Sequence, residues 1–114
     1  MREIKKDKFW RDRGSVHIVM DIVCVNCNRS VIVYQKDGRG NLYRTYLNRI
    51  MAPESLARLQ DNIFSVKQLR PLKCECGNMI GIPMHHWEGR LAFRLIHGAY
   101  QKRRHKGEAN DNSN

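Results

Sequence analysis

From Val16 onward the chain alternates apolar and polar positions. Val16, Ile18, Met20, Ile22 and Cys24 fall on one face of an extended segment, the two-residue period of a strand. The run Val31-Ile32-Val33-Tyr34 predicts a second strand, and residues 42–49, rich in Tyr, Leu and Thr, predict a third. Between them, Lys36-Asp37-Gly38-Arg39-Gly40-Asn41 reads as a turn, because two glycines supply positive φ without strain. Strands two and three are expected to pair as a hairpin across Gly38 and Gly40. Residues 53–60 carry helix signals: Pro53 suits a first turn and Glu54 the positive end of the dipole. Phe64, Val66 and Gln68 alternate with Ser65, Lys67 and Leu69, which predicts a further strand that Pro71 ends or confines to an edge. A short apolar run spans residues 79–84. Leu91, Phe93 and Leu95 form a last strand after a turn over residues 87–90. The expected fold is mainly β, antiparallel sheets with one short helix.

Around that domain, taken as residues 15–101, lie two basic flanks. Residues 1–14 are mostly charged and read as an arm or a short helix ended by Gly14. Residues 102–114 start as Lys102-Arg103-Arg104-His105-Lys106 and then turn to Asn, Gly and Ser, the composition of a disordered tail.

Composition sharpens this picture. A chain of 114 residues is most simply one domain with a modest core. Its net charge is +10 and its pI about 9.9, with the basic excess spread along the chain. Such a field attracts polyanions, nucleic acid foremost. No apolar run reaches bilayer length, and the charged start lacks the apolar stretch of a signal peptide. The expected location is the cytoplasm, where cysteines stay reduced.

Those cysteines carry the clearest chemistry. Cys24-Val25-Asn26-Cys27 and Cys74-Glu75-Cys76 each read as leaving a strand and entering a polar turn. Tetrahedral zinc needs four ligands, and four thiolates make a closed structural site. In an extended segment, positions i and i+2 share a face, so Cys74 and Cys76 can aim at one ion. His85 or His86 is the alternative fourth ligand to Cys76. Unmetallated thiols, disulfides and a redox motif compete with this reading. The cytosolic expectation disfavours disulfides, and no βαβ pattern surrounds Cys24-Cys27 as a redox motif would require. Iron also suits thiolates. One structural zinc, joining early strands to late ones, would supply folding energy to a small core.

The runs Cys24-Val25-Asn26-Cys27, Tyr34 to Ile50 and Cys74-Glu75-Cys76-Gly77-Asn78-Met79-Ile80-Gly81 together resemble small uncharacterised bacterial zinc-ribbon-like proteins. More loosely, two cysteine pairs around a long β insertion, with a closing strand after Glu88-Gly89-Arg90, look like the β-tent fold. Yippee proteins, the zinc domain of type B methionine sulfoxide reductases and a Rab-binding zinc protein share that fold. The resemblance implies packed antiparallel sheets with zinc at one edge, and it fixes no function.

Catalysis finds little support. Sulfoxide reduction needs a nucleophilic cysteine beyond the zinc ligands, and there is no fifth cysteine. Hydrolytic zinc needs an open coordination position, and adjacent histidines on a strand point to opposite faces. Gly38-Arg39-Gly40 lacks the Lys-Ser/Thr and the helix of a phosphate loop. The expectation is a non-catalytic binding module. Tyr34, Tyr43 and Tyr46 with Lys36, Arg39, Arg44 and Arg49 form a candidate stacking platform for nucleic acid, and Arg103 and Arg104 add phosphate contacts. At least one of these tyrosines is expected in the core, since one sheet face must be buried. The alternative is a protein-interaction adaptor or a subunit of a larger complex.

Overall fold

The computed structural model describes residues 1–86 and 88–106. Trp87, within the predicted turn, and residues 107–114 of the predicted tail lie outside the described residues. The chain is mainly β, in two antiparallel four-stranded sheets. The first has the order β4-β2-β1-β8, where β1 is His17–Cys24, β2 Ser30–Asp37, β4 Ile50–Ala52 and β8 Tyr100–Arg104. The second has the order β3-β7-β6-β5, where β3 is Arg44–Tyr46, β5 Leu72–Lys73, β6 Met79–His85 and β7 Leu91–Leu95. Among the described residues no helix is long and apolar enough to cross a membrane.

One core joins the sheets. Ile22, Ile32 and Ile50 from the first meet Leu72, Ile80 and Phe93 from the second, all essentially without exposure. Burial of each such side chain contributes about 1.5–3 kcal/mol. The predicted alternation in β1 holds from Met20 to Cys24, but Val19 and Val23 are buried on the other face as well. Gly81 is needed where β6 runs between β5 and β7, because a Cβ there would lie 2.9 Å from Phe93 Cβ.

Three expectations are corrected. First, β2 and β3 do not form a hairpin. β2 pairs with β1 across the Cys24–Cys27 turn, and β3 pairs with β7 in the other sheet. The Gly38–Gly40 turn therefore carries the chain between sheets, and Tyr34 of β2 reaches across to accept a hydrogen bond from Tyr46 N at 2.8 Å. Second, residues 64–68 form no strand. Ser65 and Gln68 make a capping box around a 3-10 turn, Val66–Gln68, and this local bonding outweighs the alternation. Third, residues 102–104 belong to β8, paired with β1 through Lys102↔Ile22 and Arg103↔Asp21. The helix predicted over 53–60 forms as two short pieces, α2 (Glu54–Ala57) and α3 (Leu59–Asn62), bent at Arg58.

The N-terminal residues dock against the domain. Lys5 N donates to Gln35 Oε1, and Gln35 Nε2 donates to Lys5 O, each at 2.8 Å, so a side-chain amide imitates a strand pairing. Arg2 N donates to Met51 O. Asp7 caps a short helix, α1 (Lys8–Asp12), by accepting from Trp10 N.

Candidate metal centre and basic cleft

Two tight turns, one from each sheet, bring the four cysteines together. In the first, Cys24 N donates to Arg29 O and Asn28 N to Cys24 O. Asn28, directly after Cys27, has φ +64°, a left-handed conformation that asparagine adopts more readily than most residues. In the second, Gly77 N donates to Cys74 O and Cys74 N to Asn78 O, and Gly77 takes the matching role at φ +97°. Both turns thus place a left-handed residue immediately after their second cysteine.

The four Sγ atoms lie within 4.8 Å of one another. Cys24 Sγ is 3.6 Å from Cys76 Sγ, and Cys27 Sγ is 3.3 Å from Cys74 Sγ. A tetrahedral ion with metal–sulfur bonds of about 2.3 Å needs sulfur–sulfur separations of about 3.8 Å. The thiols therefore need only small adjustments to fit such an ion. Cys24 and Cys74 are buried, Cys27 is intermediate and Cys76 is exposed. Burial raises the Cys24 pKa, but the Asn78 amide, the N–H groups of Cys27 and Asn26 and the Cys76 thiol outweigh it and hold the pKa at about 6. At Cys74 the N–H and the thiol of Cys76 favour the thiolate, yet burial and the Cys27 and Cys24 thiols keep the pKa raised. Asn78 Nδ2 lies 3.4 Å from Cys24 Sγ and donates to Ala99 O at 3.1 Å, tying the site to the loop before β8. Among the described residues neither His85 nor His86 joins the cluster. His86 is buried edge-on to Tyr46, with ring centroids 5.5 Å apart.

The basic candidates divide. Arg49 is not an accessible cation. Its side chain is 1 % exposed; Nε donates to Asp37 Oδ2 at 2.8 Å, and Nη2 and Nη1 donate to Asp7 at 2.6 and 3.1 Å. Lys36, Arg39 and Arg44 do converge, lining one cavity with Arg13, Arg90 and Tyr34, Tyr43 and Tyr46. Burial, and after it Lys102 and Arg13, lower the Lys36 pKa. Lys36, Arg39 and Lys102 also border an adjoining groove over Ile18 and Met20. Arg103 and Arg104 sit on the edge strand β8, with Arg103 hydrogen-bonded to Asn28. Tyr34 is the core tyrosine, its hydroxyl pKa raised by burial. Tyr46 is also buried, whereas Tyr43 is 63 % exposed. Sequence reasoning did not single out Arg13 or Arg90 for this cleft, since only the tertiary fold brings the N-terminal segment and the residue 88–90 turn to β2 and β3.

The chain matches no protein-family model, no curated protein and no solved structure.

Proposed function

We propose that the chain is a non-catalytic binding module in which one structural zinc ion, held by Cys24, Cys27, Cys74 and Cys76, clamps the two sheets, and a basic belt binds single-stranded nucleic acid. The all-thiolate donor set supports zinc in a closed site. The observation that carries the binding role is the convergence of Lys36, Arg39 and Arg44, with Arg13 and Lys102, on two adjoining depressions beside exposed Tyr43. Cations follow the phosphates, and an exposed ring gives a base a stacking surface. Arg103 and Arg104 extend the belt along β8.

The test is fluorescence anisotropy with a labelled single-stranded oligonucleotide over a salt series. Lys36→Glu with Arg39→Glu should weaken binding and reduce the slope of log affinity against log salt by about 1.4, two phosphate contacts' worth. Unchanged affinity would remove this assignment. Phe64, 79 % exposed beside a groove with Ile63 and Leu47, favours the second reading, a protein-interaction adaptor. Salt-insensitive binding to a protein, with none to oligonucleotide, would select it.

A further inference from the structure

Six basic residues line one small cavity of about 80 Å³: Arg49, already paired with Asp7 and Asp37, and Arg13, Lys36, Arg39, Arg44 and Arg90, which the nearby carboxylates do not balance. The acid on its wall, Asp37, is already engaged, accepting from Arg49 Nε at 2.8 Å and Gln35 Nε2 at 2.7 Å. Glu88 serves two guanidinium groups at once, 3.4 Å from Arg13 Nη2 and 3.9 Å from Arg90 Nη1.

Arg90 is the most constrained of the five. Its guanidinium carbon lies 3.7 Å from the Tyr46 ring centroid and 4.0 Å from that of Phe9. Nη2 donates to Asn48 Oδ1 at 2.9 Å, and the buried Nε has no hydrogen-bond partner among the described residues. A guanidinium held between two rings is fixed in plane, so little freedom remains to lose when it receives an anion. Arg44 Nη1 donates to the Tyr46 hydroxyl at 3.4 Å, and against the effect of burial the same phenol raises the Arg13 pKa electrostatically. The turn is equally close, because a Cβ on Gly38 would lie 2.9 Å from Arg13 Cβ. Arg13 is thereby kept against the turn that carries Arg39.

We propose that this cavity is a phosphomonoester site, with Arg13, Arg44 and Arg90 receiving the phosphoryl oxygens and Tyr43 stacking on the organic group at the rim. The cavity, lined mainly by cationic and polar side chains, suits a compact oxyanion. A phosphomonoester dianion offers three acceptor oxygens to charged donors, whereas an internal phosphodiester carries one negative charge. The same group occurs on a free nucleotide and at the end of a strand. Only the strand form rests on the nucleic-acid reading above.

The experiment titrates the metal-loaded full chain with thymidine, thymidine 5′-monophosphate, and octathymidylate ending in 5′-phosphate or 5′-hydroxyl, all at one salt concentration. The monophosphate should bind and thymidine should not. The phosphate-ended strand should bind about tenfold tighter than the hydroxyl-ended one. Arg44→Gln should erase both differences without lowering the melting temperature or metal content, and Arg44→Lys should restore part of them. If Arg44→Gln misfolds, Arg13→Gln, at the exposed member of the same three arginines, replaces it. Equal affinity for both strands together with no binding of the monophosphate overturns the site, even if the nucleic-acid reading survives. Binding of the monophosphate without either strand supports the site and removes the nucleic-acid reading.

Discussion

Arg49→Met tests the assignment of Arg49 as a buried structural cation. The substitution keeps an apolar stem in a closed space and removes three charge-assisted hydrogen bonds, one to Asp37 and two to Asp7. Losing one partner of a buried ion pair costs about 3–5 kcal/mol, because the remaining charge stays desolvated. Asp37 is in that position, its side chain being 7 % exposed, while Asp7, at 41 %, can rehydrate. The lower end, about 3 kcal/mol, is therefore expected. For a domain of about 100 residues this lowers Tm by about 12–24 °C. Thermal and urea melts followed by circular dichroism at fixed zinc would measure it. Adding Asp7→Asn and Asp37→Asn should recover most of the loss, since asparagine still caps α1 and no unpaired charge remains. A Tm change of less than about 5 °C in the single variant would refute the reasoning, as would a selective loss of oligonucleotide affinity in a fully folded variant.

Two further outcomes follow from the same geometry. Chelation should release one zinc per chain, measured by mass spectrometry, and lower Tm by about 10 °C or more, because a ligand at 100 times its Kd contributes about 2.7 kcal/mol; an unchanged melt would remove the clamp. His17 accepts from Trp10 Nε1 through Nδ1 at 3.1 Å, and burial holds its pKa below the ordinary 6.5. The unfolded chain then binds the proton first, so stability should fall as pH drops below about 6.5. His17→Gln should flatten urea midpoints measured between about pH 7 and 5.5, and a slope unchanged by the substitution would exclude His17 as its source.

The cysteine site was legible because each half is local. Two close pairs, each followed by a residue suited to positive φ, specify two tight turns before any tertiary contact forms. β1, β7 and the helix start at Pro53 were legible for the same reason, since their signals lie within a few residues. The pairing of β2 was not. Both the Cys24–Cys27 turn and the Gly38–Gly40 turn can close a hairpin, and only the packed sheets distinguish them. β8 was hidden by its own chemistry: Gln101, Lys102, Arg103 and Arg104 are all exposed, as suits an edge strand that must resist further pairing. Arg49 misled because its neutralising partners come from α1's cap and the end of β2, and local sequence shows only one more arginine in a basic stretch.

The positions of the two sites also make a physical argument about division of labour. Lys36 pairs with Ile18, six residues along β1 from Cys24 and so about 20 Å from the metal centre. The cysteine cluster joins the sheets at one end, while the cations of the cleft repel one another toward the other. On the proposal that this cluster holds zinc, the folding energy supplied there lets the cleft hold charge that disfavours the compact state. Arg39, exposed in the turn, is the residue on which this trade can be measured. Arg39→Gln should raise Tm at about 0.1 M salt, where the Debye length is about 10 Å, and the gain should disappear near 1 M, where it is about 3 Å. The same variant should lose affinity for thymidine 5′-monophosphate at low salt. A variant less stable than the parent at both salt concentrations would show that Arg39 serves the fold, and the trade between charge and stability would then have no basis at this position.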